Sequence, residues 1–472
     1  MNNNLVKHLI IIVLFIFAKN LGAQSFANID NNEIFKSTLV AYKVIETKTG
    51  KTVYDRQCNL ALAPASVTKL ITSASAMEML GYNYTFKTKF GINGEMGNKF
   101  GILVGDLVIE GGGDPTLCSE RFSDCAPETL FDSIYQALAR MGVTTIAGDI
   151  LLDVSIYDNM PIPPKWTWED IGNYYGAGSY ALSAYENTYE VHFRSPSTAG
   201  EKTEILRTDP EVPGISNIKN NVLSSNERSD NAYIFGSYLA SDREIFGTIP
   251  KGKDDFSIKG SIGNPPIFFG EQLKYYLLKK GINILGKSEV ASTPAKMDKL
   301  LYMHESQNLA RIIKELNYTS FNLIAEHLIK QIAYEKKGLG STEEGLEQIM
   351  TYWKKKGFDT DYLSMKDGSG LSRFNAITPD FFINILQYMH NNSVNSSAFI
   401  NSLPDGRKLG FAKTPEGRIS AKSGTLGGVR CYGGYYKSES GKEYTFTFLF
   451  NNFKCTPSTV RNEIEEALKK LK

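Results

Sequence analysis

Residues 39–44 and 51–55 read as two strands joined by a turn at Thr47-Lys48-Thr49-Gly50. Pro64 then leads into an Ala/Met/Leu-rich stretch, 66–80, which predicts a helix closed by Gly81 at the position where helices prefer glycine. From about 84 to 286 the texture is short strands and turns. It is broken by one amphipathic stretch, 128–141, and by a marked turn at Gly111-Gly112-Gly113-Asp114-Pro115. Helical texture returns around Asn308. Residues 320–334 predict a long helix with its apolar side at Leu323, Ile324, His327, Leu328 and Ile332. Thr378-Pro379 opens another, with threonine as cap and proline in the first turn. Residues 430–437 and 444–451 form a hairpin in which Tyr444-Thr445-Phe446-Thr447-Phe448 alternates as a half-buried strand does. The final stretch, 458–472, gathers Val460, Ile464, Ala467, Leu468 and Leu471 on one face. That face suits a helix packed on the sheet better than one lying on a membrane. Elements from both ends of the chain thus build one domain, and roughly 200 residues between them are an insertion.

A length of 472 residues exceeds one ordinary core and implies two or three domains. Hydrophobic content of 42% with 22% charged residues describes a folded protein. The 52 basic and 51 acidic side chains leave a net charge of +1, which argues against a nucleic-acid surface. A start containing Lys7 and His8, an apolar run over 9–18 and small residues at Gly22-Ala23 read as a cleavable signal, residues 1–23. The run is too short to span a bilayer, so an exported, periplasmic protein is expected. Cys118 and Cys125 flank a short polar stretch and could close a small loop. Cys431 and Cys455 are a weaker pair, because a hairpin turning at 438–441 sets Cys431 opposite a residue near Phe448. The odd number of cysteines leaves at least one thiol free, and neither their spacing nor that of the histidines suggests a metal or other cofactor.

Three polar motifs carry the candidate chemistry. Ser66-Val67-Thr68-Lys69 sits at a helix start, where residues three apart share a face and the amine can reach the hydroxyl. Ser320-Phe321-Asn322 precedes a long helix, and Lys422-Ser423-Gly424-Thr425 opens the terminal strand pair. Together they supply the groups that acylate a serine with a carboxylate-bearing acyl donor. Each has decoys. Ser216-Asn217-Ile218-Lys219 repeats the first without a helix after it. Ser224, Ser229, Ser306 and Ser393 begin further Ser-x-Asn triplets, and Lys48-Thr49-Gly50 is ordinary turn chemistry. No Gly-x-Ser-x-Gly surrounds Ser66, which disfavours a Ser-His-Asp hydrolase.

With these residues in hand, the chain resembles the DacB-type D-alanyl-D-alanine carboxypeptidases, the class C low-molecular-mass penicillin-binding proteins. Further strings carry the likeness: Gly105-Asp106-Leu107-Val108 running into Gly111–Leu117, then Gly148-Asp149-Ile150-Leu151-Leu152-Asp153, and Trp166-Thr167-Trp168 through Tyr175-Gly176-Ala177. The most specific is Asp367-Gly368-Ser369-Gly370-Leu371-Ser372-Arg373 followed by Ile377-Thr378-Pro379. The long separation of Ser66 from Ser320 fits that type, whereas serine β-lactamases keep these motifs close. The resemblance implies an α/β (α+β) penicillin-recognising domain with helices on an antiparallel sheet, spanning 28–85 and 296–472. An insertion over 86–295 would hold two smaller domains, the inner one about 100–150. It implies a serine D-alanyl-D-alanine carboxypeptidase, with endopeptidase activity left open, acting on peptidoglycan stem peptides through an acyl-enzyme and acylated by β-lactams. Ser66, Lys69, Ser320, Asn322 and Lys422 would be catalytic. Ser423, Gly424 and Thr425 would bind substrate, with Arg373 and Asp153 meeting the distal charged end of the stem peptide; a structural salt bridge is an equal reading for Asp153. Ser423 stands where threonine is usual, which keeps the hydroxyl. A β-lactamase, or a non-catalytic peptidoglycan-binding protein on the same fold, is the alternative, and a homodimer is left open.

Overall fold

The computed structural model describes residues 26, 29–97, 100–211, 217–240 and 242–472. The expected signal segment and the decoy Ser216 lie outside the described residues. The chain forms two compact units. One takes in the described part of Met1–Glu78 with Ile313–Ser320 and Met350–Lys472; the other takes in Met79–Ile312 and Phe321–Ile349.

In the first unit both ends of the chain share one antiparallel sheet, ordered Ile419–Leu426, Val429–Lys437, Glu443–Asn451, Leu39–Glu46 and Thr52–Arg56. Tyr42 pairs with Phe448 and Val44 with Phe446, which joins residues four hundred positions apart in the sequence. On one face Tyr42, Val44, Phe446, Phe448 and Phe450 pack with Val460, Ile464 and Leu468 of the last helix, Pro457–Lys469. Full burial of side chains of this size stabilises by about 1.5–3 kcal/mol each. Thr456 caps that helix by accepting from the Thr459 amide, with Pro457 in the first turn. Thr445 and Thr447 are buried too, so the alternation expected of a half-buried strand is covered on both faces. Helix Pro379–Asn391 contacts this strand and its neighbour Leu39–Glu46, and the Tyr435 hydroxyl donates to its Leu386 carbonyl at 2.7 Å. Thr378 caps it as its sequence predicts. The expected fold class, helices on an antiparallel sheet, is what forms.

In the second unit, Ile102–Glu110 and Lys87–Met96 are central to a seven-stranded sheet, packed through Phe90, Leu107 and Leu152 against Phe131, Ile134, Phe269 and Leu273. These last belong to helices Pro127–Arg140 and Pro265–Lys279. Two three-stranded sheets share a separate core around Tyr189, Val191, Phe193, Val222, Ile234 and Ile245.

Two local expectations change. The helix expected over 320–334 instead begins at Asn322 and runs to Lys337. A preceding helix, Leu309–Thr319, stops at Ser320, whose φ of +60° is left-handed and cannot continue either helix. Helix Asn322–Lys337 is also buried continuously from Leu323 to Ala333 rather than along one stripe. Its polar residues are therefore paired: Lys330 donates to Asp158 at 2.8 Å, and burial lowers its pKa. All five cysteines are free, so Cys118 and Cys125 do not close a loop. Cys125 instead lies 3.4 Å from His304 Nε2 and 3.6 Å from the Thr116 hydroxyl. Cys431 faces Leu449, one place from the expected Phe448.

Candidate active site

Ser66 lies in a short 3-10 turn, Ala65–Thr68, that feeds helix Lys69–Leu80. Lys69 has no solvent exposure, and its Nζ donates to Ser66 Oγ at 3.0 Å and to the Ser369 carbonyl at 2.6 Å. One turn further along, the Thr72 hydroxyl donates to the Gly368 carbonyl at 2.6 Å. The loop supplying both carbonyls is built by Asp367, which has no exposed surface. Its carboxylate accepts from the Gly370 amide at 2.8 Å, the Ser372 amide at 2.5 Å and Asn375 Nδ2 at 2.8 Å. Three donors on one carboxylate fix a loop far better than the glycines alone would. The motif most specific to the resemblance is thus the device that sets the amine of Lys69.

Strand Ile419–Leu426 brings the second pair. Lys422 Nζ donates to Ser320 Oγ at 2.9 Å and to the Ser423 carbonyl at 2.7 Å. Burial pushes its pKa well down, and the positive charges of Lys69 and Arg430 add to the shift. Two residues on, Gly424 is pressed against the turn that carries Ser66: a Cβ there would fall 2.6 Å from the Pro64 carbonyl oxygen and 2.8 Å from the Ser66 amide nitrogen. Only glycine allows this approach. Upstream, Asn317 accepts from Ser73 at 3.2 Å and donates to Ser402 at 2.9 Å, tying the end of the helix before Ser320 to helix Lys69–Leu80.

Both serines sit at unusual backbone. Ala65, just before Ser66, has φ +48°, and Ser320 itself +60°. Left-handed conformation at residues with a Cβ costs free energy, and such outliers gather where a fold must aim a side chain.

The remaining site residues predicted from sequence fall as follows. Ser423 and Thr425 lie on the strand with Lys422, and Arg373 is exposed, its Nη1 donating to the Gly427 carbonyl at 3.3 Å. In the second unit, Asn322 opens its helix two residues past Ser320, and its Nδ2 donates to the Tyr175 carbonyl at 2.8 Å. Asp153, also in that unit, accepts from the Ser155 amide at 2.9 Å and the Ala295 amide at 2.8 Å. Its carboxylate joins two loops. The strings Gly111–Leu117 and Trp166–Ala177 are explained by helix Asn322–Lys337, since the Gly113 carbonyl accepts from His327 Nδ1 at 2.8 Å and Tyr175 holds Asn322. Sequence reasoning did not single out Asp367 and Ser369 as positioners of Lys69, nor Arg430, which faces Thr425 across the hairpin. An Asp followed by Gly-Ser-Gly and, eight positions on, an Asn was the available signal for the first two.

The decoys are used elsewhere. Lys48-Thr49-Gly50 is a turn between strands Leu39–Glu46 and Thr52–Arg56. Ser306 accepts from the Phe86 amide at 2.9 Å, and Ser224 donates to the Thr198 carbonyl at 2.6 Å inside a strand. Ser183 does lie 3.0 Å from His327 Nε2, but both are buried, and burial drives the His327 pKa down to about 3. That pair is structural.

The profile of the D-Ala-D-Ala carboxypeptidase 3 (S13) family matches residues 23–472. The chain is 27% identical over 428 residues to a D-alanyl-D-alanine carboxypeptidase of Actinomadura sp., covering 86% of this chain and 77% of that one. It is 23% identical over 455 residues to D-alanyl-D-alanine carboxypeptidase DacB of Haemophilus influenzae, covering 93% and 91%. The crystal structure of penicillin binding protein 4 from H. influenzae shares the fold, with a TM-score of 0.78 at 21% identity, covering 93% of this chain and 97% of that one. The chain belongs to the D-Ala-D-Ala carboxypeptidase 3 (S13) family and is a serine-type D-Ala-D-Ala carboxypeptidase.

Proposed function

We propose that Ser66 is the nucleophile and that the protein trims peptidoglycan stem peptides. The observation that carries this reading is the doubling of one device: two serine hydroxyls, each bonded to a buried lysine, with the turn of Ser66 and the strand of Lys422 touching at Gly424. In this scheme Lys69 Nζ takes the Ser66 proton as Oγ attacks the carbonyl between the two D-alanines. The Ser66 and Thr425 amides receive the oxyanion. Ser320, tuned by Lys422, passes a proton to the leaving amine, and Asn322 orients the substrate amide and Lys69. Ser423, Thr425 and Lys422 hold the leaving residue's carboxylate, with Gly424 keeping that strand against the nucleophile. Water then releases the acyl-enzyme. Arg373 and Asp153 are assigned to the distal charge of the stem peptide.

β-Lactams, which mimic the acyl donor and carry a carboxylate, are inhibitors in this scheme, and the protein acts outside the cytoplasm, where its substrate is. A complex of the H. influenzae protein with a β-lactam supports the first point. The peptidase domain is assigned to 28–85 and 296–472 and the insertion to 86–295. The sheet shared by both ends of the chain supports that division. Cleavage of crosslinks, homodimer formation and the lack of nucleic-acid partners complete the reading. The test is covalent labelling by a fluorescent penicillin beside release of D-alanine from intact muropeptides. Ser66→Ala should lose both and keep its fold, whereas undiminished labelling places the nucleophile elsewhere. An adduct lasting hours fits the peptidase; one lasting seconds fits a β-lactamase.

A further inference from the structure

The nucleophile's neighbourhood holds a cation that the scheme above does not use. Arg430 lies on strand Val429–Lys437, directly across from Thr425 in the register of the hairpin, so both side chains project from one face. Its Nη1 donates to the Thr425 hydroxyl. Its Nε donates to the Tyr432 hydroxyl at 2.9 Å, its Nη2 bonds the same oxygen, and the guanidinium lies 4.6 Å from the centre of the Tyr432 ring. Tyr432 is itself buried, packed on Phe411 at 5.0 Å between ring centres. The guanidinium is therefore held flat and aimed at the rim of the strand that carries Lys422, Ser423 and Thr425.

A guanidinium has five N–H donors, and these three bonds leave some of them free. Among the described residues, neither Arg430 nor the fully buried Lys422 has a carboxylate partner; both are bonded only to hydroxyls and, for Lys422, a backbone carbonyl. Lys330, another buried lysine of this protein, is by contrast paired with Asp158. Two cations without carboxylate partners on adjacent strands, close enough for Arg430 to depress the Lys422 pKa, leave the site with an excess of positive charge that an anionic group would offset. The planar, preset fork suits a carboxylate better than a point charge would.

We propose that Arg430, anchored by Tyr432 and bridged by Thr425, is a substrate-binding residue that receives the α-carboxylate of the residue expelled from the acyl donor. This rests on the assignment of Ser66 as nucleophile and adds to it a determinant of donor charge.

The test pairs two reactive donors that differ only in that charge: an N-acyl-D-alanyl thioglycolate, whose leaving group carries a carboxylate, and its neutral methyl ester. The ratio of kcat/KM for the first over the second is measured in the full-length enzyme by thiol release. Arg430→Gln should lower that ratio about tenfold or more, mainly through KM for the carboxylate donor, and Arg430→Lys should restore part of it. Tyr432→Phe keeps the cation but removes its anchor, and should lower the same ratio by a smaller factor. An unchanged ratio in Arg430→Gln and Tyr432→Phe, or an equal fall on both donors, overturns the proposal and makes Arg430 a packing residue. Failure of the nucleophile assignment looks different: Ser66→Ala would then still turn over both donors.

Discussion

Gly370 lies so close to Ala65 that a Cβ on it would fall 1.9 Å from the Ala65 carbonyl oxygen. The loop that sets Lys69 and the turn that carries Ser66 thus meet backbone to backbone at this point, and Gly370 also has φ +82°. Gly370→Ala should cost about 2–4 kcal/mol of stability, combining left-handed strain with overlap against backbone that cannot step aside. Penicillin acylation should fall with it. A chemical denaturation curve and a labelling time course check both; a variant as stable and as reactive as the parent would refute the close approach.

Lys69 holds the only side-chain amine hydrogen-bonded to Ser66 among the described contacts. Lys69→Ala should slow acylation by about 10²–10⁴, the usual worth of a positioned proton acceptor. Stopped-flow measurement of penicilloyl adduct formation reads this directly.

Asp367 supports that amine at one remove. Asp367→Ala leaves the Gly370 and Ser372 amides and Asn375 Nδ2 without their acceptor in a buried loop. The expected loss is about 3 kcal/mol or more, since each unpaired buried donor costs about 1–3 kcal/mol. Acylation should slow even in the fraction that remains folded. A thermal melt alongside active-site titration separates the two effects.

Lys422 is buried, its pKa lies well below that of a free lysine, and no carboxylate partner offsets its charge. Between the folded pKa and about 10.5 the unfolded chain binds the extra proton, so this group makes stability rise with pH across that window. Lys422→Met removes the slope. It should raise the melting temperature at neutral pH while abolishing acylation, as expected of a charge kept for function at the expense of stability. A variant that melts lower at pH 7 would contradict the cost assigned to that charge.

His327 gives the opposite end of the pH scale. Its Nδ1 donates to the Gly113 carbonyl, so the neutral ring accepts at Nε2 from Ser183, and burial chiefly, then Lys330, brings its pKa to about 3. From about pH 6.5 downward the unfolded chain takes up a proton that the folded one refuses. Stability should therefore fall by on the order of 4–5 kcal/mol between pH 6.5 and 3 from this group. Denaturation midpoints across that range should show a flatter acid limb in His327→Gln.

Much of this was written in local pattern. The terminal hairpin, the cap at Thr378, the helix after Pro64 and the role of Gly81, with φ +91°, follow from spacing and turn chemistry that act over a few residues. The reach of Lys69 to Ser66 also follows from local pattern, because residues three apart at a helix start share a face. Short-range pattern failed at Ser320, where helix propensity runs through 320–334 but the chain turns left-handed to present a hydroxyl to Lys422. It failed also for helix Asn322–Lys337, whose apolar stripe understates its burial because packing on the Gly113 and Tyr175 loops covers its polar residues.

By itself the sequence determined which elements form, since periodicity, caps and turn residues act through neighbours along the chain. It also determined which reactive groups are available. Only the tertiary structure decided which of several like motifs stand together, what Asp367 holds in place, and that Arg430 faces Thr425. The motif contacts, Lys69 with Ser369 and Lys422 with Ser320, join residues far apart in the chain and are set by backbone packed at glycine, which no local pattern encodes. Asp367 and Arg430 find their partners within eight residues, but the loop conformation and strand register that bring them together come from the fold around them.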